Sequence, residues 1–194
     1  YGNHSHCASV NSRASVWQSI GCHRTPWYGA TGWHTPSDMI NSMKINEYVW
    51  TPRVTVAALL ERDGRFLMVE ERVDGRHVFN QPAGHLEDNE DLIGAVVRET
   101  LEETAWHFQP EALSGIYRWR HPQSHATYLR VAFAGRGLSH EPQRALDADI
   151  ERILWLTPGE IRDRVDNLRS PLVLRCLDDY LAGSCAPLTL LKEL

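Results

Sequence analysis

Residues 84–106 read GHLEDNEDLIGAVVRETLEETAW, and this stretch decides the fold. Between Glu87 and Thr104 it contains a single glycine, Gly94, and no proline. A run of this length with one glycine and no proline is typical of an α-helix, since these two residues disfavour helices most strongly. We therefore predict a helix over residues 87–104.

The predicted helix separates acidic from apolar side chains. At about 100° per residue, Glu99, Glu102 and Glu103 fall within an arc of roughly 100° on one side. The other side gathers the residues that we expect to be buried: Ile93, Val97, Thr100, Leu101 and Thr104. The acidic side is open to two interpretations: a solvated surface, or a site where carboxylate oxygens bind a hard cation such as Mg²⁺ or Mn²⁺. A cation site of that kind suits a substrate that brings its own phosphate oxygens.

The spacing of the anchors favours the second interpretation. Gly84 is followed after five residues by Glu90, after seven more by Arg98-Glu99, and then by Leu101-Glu102-Glu103. This pattern closely resembles the Nudix box, G-x5-E-x7-R-E-U-x-E-E-x-G-U. The chain is identified as a member of the Nudix family on these residues.

The resemblance implies both a fold and a reaction. The fold is an α/β (α+β) sandwich with helices covering a mixed sheet, and the reaction is attack of a metal-activated water on a phosphorus of a diphosphate. Glu99, Glu102 and Glu103 are the implied metal ligands, and Gly84 is the implied backbone member of the metal site, where the lack of a side chain allows close approach. Arg98 is implied to orient the glutamates, and Glu99 is the candidate base.

The chain departs from the box at two positions. Thr100 replaces the usual aliphatic residue, and Ala105 replaces the glycine that ends the helix in a left-handed turn. We expect the end of the helix to be strained or re-routed at Ala105.

A loop acid often adds a further metal ligand in this family, six residues before a tryptophan that opens a late strand. Trp155 identifies this residue as Asp149. Asp147 and Glu151 are the neighbouring alternatives, and a merely solvated loop is the other interpretation.

Short apolar runs punctuated by turns predict strands around this helix. Val54–Leu60 and Phe66–Val69 flank Asp63-Gly64 as a hairpin, and Asp74-Gly75 predicts a second turn. Further strands are predicted over 117–120 and 127–133, and helices over 158–165 and 171–181. This mixture independently indicates an α/β or α+β sandwich.

Segments outside the box resemble a bacterial phosphatase subgroup of the Nudix family over about residues 52–190. These segments are Val54–Ala57, Val69–Glu71, Phe79–Glu87 and Asn167–Leu172. The subgroup implies a monomeric cytoplasmic enzyme that uses Mg²⁺ to release phosphate from hydroxymethylpyrimidine diphosphate, thiamine diphosphate and nucleoside di- and triphosphates.

Six residues are candidates for substrate binding. Glu70 and Glu71 are candidates to accept a hydrogen bond from the amino group of an aminopyrimidine, or they merely make a strand edge soluble. Gln81 and His85 flank the expected phosphate position. Arg118 and Arg130 lie on facing predicted strands, either as phosphate contacts or as ordinary surface residues. In addition to these six, Trp119 either stacks on the heterocycle or belongs to the core.

Composition bounds the remaining possibilities. A net charge of −5 gives no basic field for nucleic acid, and no window approaches the ~18 apolar residues of a membrane span. Residues 1–48 lack a sustained helix or strand period, so we predict a poorly ordered extension there and a Nudix domain over 49–194.

Two further functions stay open at this point. One is a broad nucleoside triphosphate pyrophosphohydrolase, which would release diphosphate rather than phosphate. The other is a non-catalytic Nudix-type metabolite sensor, although such domains typically lose the glutamates that this chain retains.

Overall fold

The computed structural model of the chain describes residues 49–192. These residues form eight strands, three α-helices and two short 3₁₀ turns at 165–167 and 188–190. The strands are β1 (Arg53–Arg62), β2 (Arg65–Val73), β3 (Arg76–Asn80), β4 (Ala83–His85), β5 (Trp106–Arg120), β6 (Thr127–His140), β7 (Ile150–Leu156) and β8 (Ala186–Pro187). The helices are α1 (Leu92–Thr104), α2 (Pro158–Arg162) and α3 (Leu172–Leu181).

Both predicted Asp-Gly turns are present. Asp63 and Gly64 have φ values of 52° and 74°, and Asp74 and Gly75 have φ values of 50° and 77°. Positive φ at both central residues matches the right-handed twist of paired strands, which is why this dipeptide favours tight hairpins. The two turns join β1 to β2 and β2 to β3 in antiparallel pairs.

The sheet is mixed, as predicted. The main strand order is β3-β2-β1-β6-β5-β8, with β4 paired to β1 and β7 paired to β2. β1 and β6 run parallel, whereas the other strand pairs of the sheet are antiparallel. The α/β sandwich fold is therefore confirmed.

Helices cover both faces of the sheet. Val56 and Phe133 pack into one apolar cluster with Val96 of α1, and Leu59 packs into a second cluster with Val173 of α3. Successive side chains of a strand point to opposite faces, and the central part of β1, Val56–Leu60, is buried on both faces and continuously apolar.

The central helix starts later than predicted, at Leu92 rather than Glu87. Asp91 caps it by accepting a hydrogen bond from the Gly94 amide at 2.5 Å. Asn89 has a φ of 62°, which no helix accommodates, and the Glu90 carboxylate accepts from the Glu87 amide at 2.7 Å. These local side-chain bonds stabilise a turn instead of another helical turn.

The helix ends in the left-handed conformation despite its alanine. Ala105 has φ 57° and ψ 17°, and its amide donates to the Leu101 carbonyl. The end of the helix is thus strained at Ala105 but follows the glycine-type route.

The other predicted elements differ mainly in length. β5 and β6 extend far beyond the predicted 117–120 and 127–133, because they pair along almost their whole length. α2 stops at Arg162 and is followed by the 3₁₀ turn at 165–167, so the predicted helix to Val165 is broken. Within residues 49–192, no helix combines the length and apolar composition of a membrane span. The predicted extension over residues 1–48 lies outside the described residues.

Candidate active site

Two of the three glutamates on the acidic side of α1 are buried and Glu102 is partly exposed, which corrects the expected division into a buried and an acidic face. Glu99 and Glu103 are only 9% and 8% exposed. The Glu103 Oε2 atom accepts a hydrogen bond from the Ala83 amide at 2.8 Å. The Glu99 carboxylate packs so closely on Gly84 that a Cβ at that position would overlap it. Two box glutamates are therefore held against β4.

Arg98 connects the box glutamates. Its guanidinium donates to Glu90 at 2.6 Å, to Glu99 at 2.9 Å and to Glu102 at 3.0 Å. A further bond, 3.0 Å long, reaches the His85 carbonyl at the end of β4. A single planar group thus fixes three carboxylates and the loop beside them.

Burial raises the pKa values of two box glutamates and so disfavours their ionised forms. Burial is the main cause that raises the pKa of Glu99, whereas Arg98 opposes the rise. Burial raises the pKa of Glu103 to about 9, and the charges of Glu71, Glu99 and Asp147 add to this. Clustered, partly desolvated carboxylates of this kind are stabilised as anions by a cation.

The donor chemistry fits a hard divalent cation. All three helix glutamates offer carboxylate oxygens, and β4 brings the backbone at Gly84 against Glu99. Among residues 49–192, no three acidic, histidine or cysteine side chains are arranged as a ready coordination shell. Glu99 and Glu102 instead share Nη1 of Arg98, so a cation would need their carboxylates to turn towards it.

The three acidic residues of the loop before β7 and the start of that strand lie near different groups. The Asp147 amide donates to the Glu102 carbonyl at 3.1 Å, and the Asp147 charge raises the pKa values of Glu99 and Glu103. The charge of Asp149 acts instead on Glu71. Glu151 pairs with Arg72 at 2.8 Å. Asp147 therefore stands beside the predicted Asp149 as a candidate loop ligand.

A pocket adjoins this site. Ala83, Gly84 and His85 of β4 line one side of it. Trp119 and Tyr128 contribute aromatic rings 5.8 Å apart with an interplanar angle of 32°. Its polar lining is supplied by Thr55, Glu71, Asn80, His121, Arg130, Arg169 and Ser170. A planar ring bearing a diphosphate suits this combination of aromatic, polar and β4 backbone groups.

Of the two predicted amine acceptors on β2, Glu71 lines the pocket and Glu70 does not. Glu71 lines the pocket, and burial is the main cause that raises its pKa, against opposing contributions from Asn80, Arg169 and Arg130. Glu70 does not line the pocket, because its carboxylate pairs with Arg152 at 2.5 Å and with His77 at 3.2 Å. The prediction for Glu70 is wrong.

Of the two predicted loop residues, His85 lines the pocket and Gln81 does not. His85 lines the pocket, and burial lowers its pKa, as do the charges of Arg53 and Arg169. Gln81 is buried, donates to the Val173 carbonyl at 2.8 Å and accepts from Arg130 at 3.3 Å. Gln81 is therefore a structural link to Arg130 instead of the predicted phosphate contact.

The two predicted arginines lie on opposite faces of the sheet. Tyr117 pairs with Arg130, and Arg118 pairs with Leu129. Directly paired residues share a face and neighbours alternate, so Arg118 points away from Arg130 and is exposed. The prediction that Arg118 contacts substrate is wrong, whereas Arg130 lines the pocket.

Arg169 and Ser170 were not predicted as site residues. They enter the pocket because the Arg169 amide donates to the Phe79 carbonyl at 2.9 Å, which ties this loop to β3. The matching segment over 167–172 was the available signal, yet it carried no indication of which side chains face the substrate.

The fold and the box geometry define a class of protein, and comparison with known proteins agrees. Residues 50–176 match the NUDIX domain family, and the chain belongs to the Nudix hydrolases, enzymes that act on diphosphates.

The chain is also similar to individual members of this family. The chain is 38% identical over 145 residues to Phosphatase NudJ of Escherichia coli (strain K12), which covers 75% of this chain and 94% of that protein. A NUDIX hydrolase structure from Nitrosomonas europaea is 46% identical, with a TM-score of 0.73 over 74% of this chain and 98% of that one. The NUDIX domain of Shewanella oneidensis NrtR, complexed with ADP ribose, shares the fold at 15% identity, with a TM-score of 0.58 over 77% of this chain and 98% of that one.

Proposed function

We propose that the chain is a phosphatase that uses Mg²⁺, or Mn²⁺, to remove orthophosphate from hydroxymethylpyrimidine diphosphate, thiamine diphosphate and nucleoside di- and triphosphates. The observation that carries the proposal is the continuity between an aromatic and polar pocket and the Ala83–Gly84 backbone, against which Glu99 and Glu103 lie. The similarity to Phosphatase NudJ over 94% of its length supports phosphate as the product.

Each part of the site has a task in this proposal. Glu99, Glu102, Glu103, the Gly84 carbonyl and an acid at 147 or 149 would hold the cation. When bound, the cation neutralises charge on the diphosphate and acidifies a water. Glu99 would accept a proton from the attacking water, and Arg98, which donates to the Glu99 carboxylate at 2.9 Å, would orient it. Arg130 and Arg169 add positive charge on the pocket side.

Product analysis tests the proposal. Purified protein with Mg²⁺ is assayed against thiamine diphosphate, hydroxymethylpyrimidine diphosphate and a nucleotide panel, with orthophosphate and diphosphate detected separately. Orthophosphate as the inorganic product supports a phosphatase. Diphosphate released from nucleoside triphosphates would identify a pyrophosphohydrolase, and binding without turnover would identify a sensor.

The proposal extends to a cytoplasmic monomer with a small-molecule substrate and no nucleic-acid partner. Its support is the net charge of −5 and the resemblance over residues 52–190. Light scattering coupled to gel filtration tests the monomer, since a dimer would double the 22.1 kDa mass.

A further inference from the structure

Unsatisfied polar atoms are concentrated in the pocket. Within residues 49–192, six buried side-chain nitrogen or oxygen atoms have no hydrogen-bond partner. Three of the six, Glu71 Oε1, Arg130 Nε and Ser170 Oγ, belong to residues that line this one pocket. Buried polar atoms are normally paired, because an unpaired one loses its water without compensation. Their clustering indicates a polar ligand that supplies the missing partners.

The charges of Glu71 and Arg130 favour each other, but the two side chains form no direct ion pair in the described part of the chain. Arg130 is 6% exposed, yet no carboxylate in the described part of the chain forms an ion pair with it. Its terminal nitrogens donate to neutral amide oxygens, at 3.4 Å to Asn80 and 3.3 Å to Gln81. The Cys176 thiol, a weak acceptor, is a further neighbour. The Glu71 carboxylate pairs through Oε2 with Arg169 at 3.5 Å, and Asn80 also stabilises its ionised form.

Gln81 keeps Arg130 in this arrangement. Its Nε2 atom is anchored to the Val173 carbonyl of α3 at 2.8 Å, so its Oε1 atom has a fixed position beside the guanidinium. The Arg130 guanidinium is therefore positioned by Gln81 and helix α3, and its Nε–H group has no hydrogen-bond partner among residues 49–192.

We propose that Glu71, Arg130 and Ser170 form a specificity subsite that selects a heterocycle with an exocyclic amino group beside a ring nitrogen. A carboxylate only accepts hydrogen bonds and a guanidinium only donates them, whereas a hydroxyl does both. An amino group supplies the donor for Glu71, and the adjacent ring nitrogen supplies the acceptor for Arg130. This inference rests on the proposed function, since it names the feature that distinguishes substrates of the same site.

The matching 4-oxo heterocycle is the disfavoured ligand. Its carbonyl oxygen would face the Glu71 carboxylate, acceptor against acceptor, and its ring N–H would face a donor of Arg130. These mismatches leave buried charged groups unpaired, and together they correspond to a loss of about 10-fold to 100-fold in affinity. Ser170 serves either ring and does not discriminate.

Binding of reaction products isolates this subsite from catalysis. Thiamine monophosphate and its 4-oxo analogue, oxythiamine monophosphate, differ at the recognised edge. Calorimetric titrations in EDTA measure both affinities for the full chain, so neither metal nor turnover is involved. We expect the amino compound to bind about 10-fold to 100-fold more tightly.

Variants assign the preference to a residue. Glu71→Gln replaces an acceptor by an amide that both donates and accepts, and should lower the ratio of the two affinities at least about threefold, with the remaining preference due to Arg130. Glu70→Gln is the matched control, because the neighbouring carboxylate on the same strand pairs with Arg152 outside the pocket, and it should keep the wild-type ratio. Ser170→Ala should weaken both compounds equally.

The outcomes separate the two proposals. Equal wild-type affinities, undetectable binding of both compounds, or an unchanged ratio in a folded Glu71→Gln protein would each overturn the subsite. The wild-type comparison needs no variant, so poor folding of Glu71→Gln leaves the subsite testable. Discrimination without orthophosphate release from any diphosphate would support the subsite and reject the proposed function.

Discussion

Gly84 packs directly on the Glu99 carboxylate, and this contact fixes the distance between β4 and α1. A Cβ on Gly84 would overlap that carboxylate. Gly84 does not have a positive φ, so glycine is required at this position by the close approach of Glu99 and not by backbone conformation. The glycine and the glutamate of the box therefore depend on each other sterically.

Gly84→Ala should inactivate the enzyme without unfolding it. The added methyl group displaces the Glu99 carboxylate, and misplacement of a reacting group by about 1 Å costs roughly 10²-fold in rate. Steady-state phosphate release and thermal unfolding measure the two effects. Gly159→Ala is the control, because the nearest atom to its new Cβ would be Thr157 Oγ1 at 3.9 Å. Near-normal turnover of Gly84→Ala would show that Glu99 needs no fixed position.

Glu99→Gln and Glu103→Gln should each reduce kcat by about 10²-fold to 10⁴-fold. Both changes keep the side-chain volume but remove a negative charge, so the apolar packing of α1 is preserved. The effect is measured as kcat at saturating Mg²⁺, with circular dichroism to verify folding. Glu111→Gln, an exposed residue that pairs with Arg136, is expected to be neutral. Wild-type kcat in either box variant would remove that glutamate from the reaction.

The metal-free enzyme should lose stability as the pH rises. Burial raises the pKa of Glu103 from 4.5 to about 9 in the folded state, so the folded protein binds this proton more tightly than the unfolded chain does. The resulting stabilisation is complete below the unfolded pKa and disappears as the pH rises through the folded pKa. In EDTA, the melting temperature should therefore fall between about pH 5 and pH 9.

Two controls assign this pH dependence. Glu103→Gln cannot ionise, so its melting temperature should change much less over the same range. Saturating Mg²⁺ should raise the melting temperature most at high pH, where the carboxylates are ionised. A melting temperature that rises with pH in EDTA would contradict the burial of an uncompensated Glu103.

Local chemistry explains which parts of the fold were predictable. The turns at Asp63-Gly64 and Asp74-Gly75 depend on the φ preferences of two residues, and the box depends on the period of one helix. The start of α1 was missed because Asp91 and Glu90 bond to nearby amides, and these bonds compete with helix formation over 87–91.

Long-range pairing explains most of the remainder. Arg118 was assigned to the same site as Arg130, yet their faces are set by the register of β5 and β6, which shifts between Leu113 and Gly115. A one-residue shift moves every side chain to the other face, and no local pattern fixes it here. Alternation along β2 separates the neighbours Glu70 and Glu71, but only the tertiary partners of β2 determine which of the two lines the pocket.

Ala105→Gly should stabilise the protein by about 0.5 to 1 kcal/mol. Ala105 ends α1 with φ 57° and ψ 17°, a left-handed conformation that costs roughly 1–2 kcal/mol for a residue with a Cβ. Glycine relieves this strain and keeps the hydrogen bond to Leu101, but it also increases the freedom of the unfolded chain, which offsets part of the gain. Urea unfolding measures the difference. Ala95→Gly, in the regular part of the same helix, should have the opposite sign and cost about 1 kcal/mol. If both substitutions destabilise the protein, the contacts of the buried Ala105 methyl group outweigh the strain, and the helix end is adapted to alanine.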